Sequence, residues 1–218
     1  MPQPMVHLGV AKNILDSGFE ITSLPQYYLG VISPDAIHMR ENSSRDDKDR
    51  VHLKPMGKAW RDVDVHAYYE FLLDCVETSK NKANIDFLWG YVIHILTDMY
   101  WVPTLYDAFN KKYKEDSSPI QDRIGAYYSD CDILDHVLFK ECDWRNSVWQ
   151  SLEFAKCTDF LDLLSAAEID LWNKRTLRWY DSGKSQHINP VKYISKIDLY
   201  DFIFECSKFI FQNICQIK

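Results

Sequence analysis

The sequence predicts an all-α protein: a single compact helical domain with a long ordered loop near its N-terminus that carries candidate ligands. Three observations lead there. Glycine is scarce, 7 residues in 218, which disfavours turn-rich all-β folds and glycine-rich phosphate loops alike. Apolar residues recur at helical spacing over most of the chain. Aromatic content is high, with 13 Tyr, 11 Phe and 7 Trp, and the length suits one sizeable core, so residues 1–218 read as one domain.

A first helix is expected over residues 5–16, with Val6, Val10, Ile14 and Leu15 near one stripe and Gly18 where a C-terminal stop belongs. Over residues 19–61 helical periodicity is weak and Pro25, Gly30, Pro34, Asn42, Pro55 and Gly57 recur, so this stretch reads as a loop. Its many apolar side chains, Tyr27 to Ile32 among them, argue that the loop is ordered, and only residues 45–50 read as solvated. Residues 62–80 follow as a helix, because Val65, Tyr69, Leu72, Leu73 and Val76 repeat at helical spacing behind Asp62 and Asp64. The next helix spans residues 84–101, and Pro103 imposes a kink or a restart before residues 105–113.

Pro119 suits a first helical position, ahead of the pattern Ile124, Tyr127, Tyr128, Cys131, Leu134, Val137 and Leu138. Residues 144–156 and 159–180 give further helices, residues 181–190 a loop by their turn formers, and residues 195–217 a closing amphipathic helix.

Lys and Arg number 25 against 32 Asp and Glu, a net charge of −7. That balance exerts no pull toward nucleic acid or an anionic membrane, and disfavours a nucleic-acid partner. The six cysteines form no CxxC pair and sit among apolar residues, as reduced core thiols do. The first residues lack the pattern of a signal peptide, and no apolar run reaches the ~18 residues of a transmembrane segment, so a soluble, cytoplasmic protein is expected.

Chemistry concentrates in the histidines. His94 and Asp98 stand one helical turn apart in a run where nearly everything else is apolar, and a helix brings such a pair to one face. Alone, the pair reads as a buried hydrogen bond. His7 in the first helix and His38 and His52 in the long loop also stand beside hydrophobic residues, as does Asp35 after Pro34. Imidazoles with carboxylates form the ligand set of Zn²⁺ and of Mn²⁺, Fe²⁺ or Co²⁺, and the residues do not choose among these metals.

The segments PMVHLGVA (4–11), YLGVISPDAIHMR (28–40), KDRVHL (48–53) and GYVIHILTD (90–98) resemble the zinc-dependent phospholipase C family of bacteria. The resemblance covers about the first hundred residues; beyond Trp101 it is one of helical character. It implies an all-helical domain with a multinuclear metal cleft, in which Asp35, His52 and His94 surround one zinc and Asp98 bridges to a second that His7 also binds. Two such ions activate water and hold a phosphoryl oxygen. Asp35 then serves as ligand and as the base that orients the nucleophile, and His38 as a further ligand or a proton donor to the leaving group. Arg40, Lys48 and Arg50 are candidates to offset phosphate charge, although Lys48 and Arg50 also read as a solvated run.

The chain departs from the family's pattern in two ways. Secreted members begin with a tryptophan whose terminal amine and carbonyl are ligands, and this chain has no tryptophan before Trp60. Where the family places two more histidines and a glutamate, this sequence offers only His136, with Asp130, Asp132 and Asp135, so a third metal site is doubtful.

The expected function is a metal-dependent phosphoester hydrolase acting on a small phosphodiester or lipid-like substrate through a metal-activated water. An HD-type phosphohydrolase needs a His-Asp dipeptide, and none occurs. The competing class is a non-catalytic helical interaction protein or a metal-free relative of the family.

Overall fold

In the computed structural model the described residues are 2–55, 57–79, 84–181 and 190–214, without the side chains of residues 65 and 66. Among them no strand forms, and the one β-bridge is the isolated pair Phe160 and Leu164. Helices α1 (Pro4–Asp16), α2 (Leu24–Ile32), α3 (Arg45–Val51), α4 (Val65–Ser79) and α5 (Ile85–Trp101) make the N-terminal half. Helices α6 (Asp107–Glu115), α7 (Arg123–Glu141), α8 (Arg145–Glu153), α9 (Ala166–Arg178) and α10 (Lys196–Ile214) make the rest. No described helix is long and apolar enough to cross a membrane.

Helix α5 is the axis of the fold. Its residues are buried on nearly every side, as expected of a helix that is apolar all round. The Asn84 side chain caps its first turn by accepting from Asp86 N and Phe87 N. The Asp86 carboxylate in turn accepts from Ser23 N at 2.7 Å, which anchors the start of α2 on the start of α5. The two helices then meet backbone to backbone. A Cβ on Gly30 would stand 2.9 Å from the Phe87 carbonyl carbon, and one on Gly90 would stand 2.8 Å from Val31 N, so only glycine permits this approach.

The expected loop over residues 19–61 is therefore largely helical, which corrects the reading from periodicity. Tyr27 to Ile32 are all buried, so α2 has no polar face to generate a period, and packing on α5 decides its conformation. A 3-10 segment (Ser33–Met39) continues α2, and α3 begins with a capping box in which Ser44 and Asp47 bond reciprocally. The stretch expected as solvated, residues 45–50, is thus α3.

After α5 the helix widens into a π turn, Val102–Tyr106, because Pro103 has no N–H to give and its ring crowds the preceding turn. Pro119 precedes a 3-10 turn (Ile120–Asp122), not the first turn of α7. Helix α9 starts at Ala166, behind its own capping box of Ser165 and Glu168, so residues 159–165 lie outside the helix expected there. The loop expected over residues 181–190 lies mostly outside the described residues, as do the last residues of the closing helix.

Helix α1 packs against α2, α5, α7 and α10. Met5 N donates to Asp135 of α7 at 2.9 Å, and Tyr27 OH donates to Ala11 O at 2.9 Å. These bonds fix the helix that carries His7. Helix α9 lies over the 3-10 segment, held there by Arg40, whose Nε reaches Glu168 Oε1 at 2.6 Å and whose Nη2 reaches Leu163 O at 2.7 Å.

Candidate metal centre

Four helical pieces deliver the candidate ligands to one place. His7 comes from the first turn of α1, Asp35 and His38 from the 3-10 segment, His52 from the end of α3, and His94 and Asp98 from the middle of α5. In a 3-10 helix residues i and i+3 eclipse, so Asp35 and His38 share a face, with His38 Nε2 3.7 Å from Asp35 Oδ1. The one-turn spacing puts His94 Nε2 3.7 Å from Asp98 Oδ2.

The two oxygens of Asp98 look in different directions. Oδ2 also lies 3.7 Å from His52 Nε2, while Oδ1 lies 3.6 Å from His7 Nε2. His52 Nε2 is 3.5 Å from Asp35 Oδ1. Asp98 Oδ2 thus lies beside His52 and His94, which are grouped with Asp35, and the other Asp98 oxygen faces His7. Asp35–His52–His94 and His7–His94–Asp98 each form a group that can hold a metal ion.

These separations are too long for good hydrogen bonds. They lie close to the roughly 3.4 Å that separates two donors each about 2.1 Å from a tetrahedral ion. Six buried atoms here have no hydrogen-bond partner: His7 Nδ1 and Nε2, His52 Nε2, His94 Nε2 and both oxygens of Asp98. His7, His52, His94 and Asp98 are each at most 2 % exposed, so bulk water does not satisfy them. Orphaned, desolvated lone pairs at ligand spacing fit a cation.

At His94 and His52 the other ring nitrogen is arranged to keep the Nε2 lone pair free. His94 Nδ1 is 2.7 Å from Val31 O, and His52 Nδ1 is 3.0 Å from Lys48 O. A backbone carbonyl at Nδ1 places the proton there and leaves Nε2 as the ligand atom. The Val31 carbonyl reaches His94 because Gly30 and Gly90 let α2 approach α5. On the other side, Tyr68 OH donates to Leu53 O at 2.8 Å and Tyr91 OH to Val51 O. These phenols clamp the peptide groups around His52, where Leu53 holds a left-handed φ of 49°. Strain of this kind persists where surrounding contacts over-determine the backbone.

Electrostatics favours the ligand forms of the histidines. Desolvation pushes His94 down to about 4, and desolvation together with the neighbouring His94 holds His7 well below its usual value. Their rings stack face to face with centroids 3.8 Å apart, as neutral imidazoles can. Burial pushes Asp98 up to about 7 in the absence of a cation. For Asp35, burial acts upward but the His52 contact and the charges of His94, His52 and Lys48 outweigh it, so the carboxyl stays well below the usual range.

Of the candidate ligands, Asp35 and His38 also line a cleft of about 340 Å³. Lys48 lines this cleft, with Nζ 3.1 Å from His38 Nε2. Desolvation and the Lys48 charge lower His38.

Arg40 does not line the cleft; its guanidinium is committed to Glu168 and Leu163 O. Arg50 pairs with Asp162 at the surface. Trp172 and Arg175 of α9, with Trp179 at its C-cap, also line the cleft, and no motif drew attention to them. Their spacing of three and four residues on one helix face was the available signal. Among the described residues no third metal-ligand cluster forms. His136 Nδ1 contacts Asp132 O at 2.9 Å, Asp135 accepts from Met5 N and Tyr180 OH, and Asp130 accepts from Lys192, Tyr193 and Ile194 N–H groups. The five described cysteines are free thiols. His187 and Cys215, and the side chain of His66, lie outside the described residues.

A comparison with protein-family models, curated proteins and solved structures returned no match to this chain.

Proposed function

We propose that the protein is a cytoplasmic, metal-dependent phosphoester hydrolase, of the kind its resemblance to zinc-dependent phospholipases C implies. The observation that carries this reading is the set of six unpartnered buried donor atoms on His7, His52, His94 and Asp98, beside an open cleft that Asp35 lines. A merely structural cluster would leave them unsatisfied, at a cost of about 1 to 3 kcal/mol for each buried polar group. That cost argues against the metal-free alternative.

Asp35, His52, His94 and Asp98 would hold one zinc, and His7 with the second oxygen of Asp98 would help hold another. Bound zinc supplies Lewis acidity toward a phosphoryl oxygen and lowers the pKa of water. The chain's own groups do the rest. Asp35, half-buried in the cleft lining and kept ionised, orients water and accepts its proton. His38, whose Nε2 lies 3.1 Å from Lys48 Nζ in the same cleft, would serve as proton donor to the leaving group or as a further ligand. The buried walls around His7, His94 and Asp98 exclude bulk water, so the charges act in a low-dielectric setting.

Metal content of the purified protein and hydrolysis of bis(p-nitrophenyl) phosphate and p-nitrophenyl phosphate test the reading together. Wild type is expected to bind two zinc ions and to turn over at least one of the esters. Asp98→Asn is expected to lose most of both properties. A wild-type protein that takes up no metal, and whose stability ignores chelators, would end the proposal.

A further inference from the structure

The cleft in front of the metal centre has a charge pattern of its own. Arg175 of α9 sits with its guanidinium carbon 5.3 Å from the Trp172 ring centre and 5.0 Å from that of Trp179. It makes no ion pair or hydrogen bond among the described residues, and both tryptophans line the cleft beside it. Cation–π contacts of this kind hold a guanidinium in place without using its N–H donors. Lys48, which lines the same cleft, has only a histidine nitrogen as its hydrogen-bond partner. The indole N–H of Trp172, a residue 7 % exposed, also has no acceptor.

The cleft is therefore lined by two cationic heads, and the Trp172 indole N–H beside them is buried without an acceptor. Asp35 is the single carboxylate in its lining, and Asp35 belongs to the metal cluster. A cationic headgroup finds no counter-charge here. A diester carries one negative charge, which the metal centre alone can meet.

Resting on the hydrolase reading above, we infer that Arg175, with Lys48, is a clamp for a terminal phosphate: the substrate is a phosphomonoester dianion, and Arg175 selects it over diesters and over zwitterionic headgroups. Trp172 and Trp179 position the guanidinium and wall the cleft against water. Arg40 acts at one remove, since its bond to Glu168 holds α9, and with it Arg175, over the segment that carries Asp35.

Calorimetric titration of zinc-loaded protein with phenyl phosphate and with its methyl diester tests the clamp, because the two probes share a ring and differ in charge. Wild type is expected to bind the dianion at least tenfold more tightly. Arg175→Ala is expected to bring the two within about twofold, and Arg175→Lys, which keeps the charge but loses the stacked fork, to retain part of the preference. Equal binding by wild type, or an undiminished preference in Arg175→Ala, would overturn the clamp. Lys48→Met should halve or further reduce the preference and gives a second reading should the Arg175 variants fold poorly. Turnover of the same probes separates the two proposals: a charge preference without turnover of either probe defeats the hydrolase alone, whereas turnover without charge preference defeats the clamp alone.

Discussion

Gly90→Ala is the most informative single change, because it tests the helix contact on which the metal centre depends. In an ordinary exposed helix this substitution stabilises by about 1 kcal/mol, since alanine is the better helix former. At Gly90 a Cβ would stand 2.8 Å from Val31 N and nearer still to the Tyr27 carbonyl oxygen. Reaching a contact of roughly 3.5 Å requires α2 and α5 to part by at least about 0.7 Å. Overpacking of this kind costs about 1 to 3 kcal/mol, and backbone on both sides of the contact leaves little room to relax.

The same parting would lengthen the 2.7 Å bond between His94 Nδ1 and Val31 O to at least about 3.4 Å, past the useful range. Loss of such an orienting bond lowers metal affinity by about 10- to 100-fold. Gly125, exposed in α7 with nothing within 4 Å of its Cβ position, is the matched control. Urea unfolding followed by circular dichroism should show Gly125→Ala more stable than wild type and Gly90→Ala less stable. Competition with a chromogenic chelator should show weakened zinc binding only in Gly90→Ala. If Gly90→Ala gains stability as Gly125→Ala does and binds zinc normally, the close crossing of α2 and α5 is wrong.

Zinc affinity should depend on pH through one group first. Binding needs Asp98 ionised, and burial holds its carboxyl at about 7, so below pH 7 each binding event releases a proton and affinity falls by roughly tenfold per pH unit. The fall should steepen toward pH 4, where His94 begins to protonate. Calorimetry in buffers of different ionisation enthalpy counts those protons, and an affinity constant between pH 5 and 7 would contradict the assignment. The two ions should also separate genetically. His7→Gln removes a member of the His7–His94–Asp98 group alone, so it should leave one tightly bound zinc, whereas His52→Gln breaks the Asp35–His52–His94 group and, through its contact with Asp98, should lower the content below one. Elemental analysis of the purified variants decides this, and equal metal loss in both would argue against two distinct positions.

Helix α5 was legible because length, an apolar majority and an asparagine cap agree; α4 and α10 were legible because a polar face gives their apolar residues a period. Helix α2 was not, for the opposite reason. Tyr27, Tyr28, Leu29, Val31 and Ile32 are all buried, so no alternation exists to detect. The Gly30 that suggested a turn is there to admit the Phe87 peptide of α5. A glycine in a helix and a glycine in a loop look alike until the neighbouring backbone is known. Arg40 misled for a related reason: an arginine near a candidate aspartate suggests a phosphate ligand, while its true partner, Glu168, lies 128 positions away.

The metal cluster and the cleft differ in the same respect. His94 and Asp98 announce themselves because two polar groups in an apolar helix must be satisfied inside the fold, and His7, Asp35 and His52 each sit in short apolar contexts that point inward. Trp172, Arg175 and Trp179 carry no such contradiction; on an amphipathic helix an arginine between tryptophans is what a half-exposed face contains anyway. Only the packing of α9 on the 3-10 segment brings that face to Asp35 and His38. Groups that must coordinate a buried ion conflict with their local surroundings and are therefore visible in sequence. Groups that meet a substrate at the surface conflict with nothing until the fold juxtaposes them, which is why residues that choose a substrate are harder to read than residues that hold a metal.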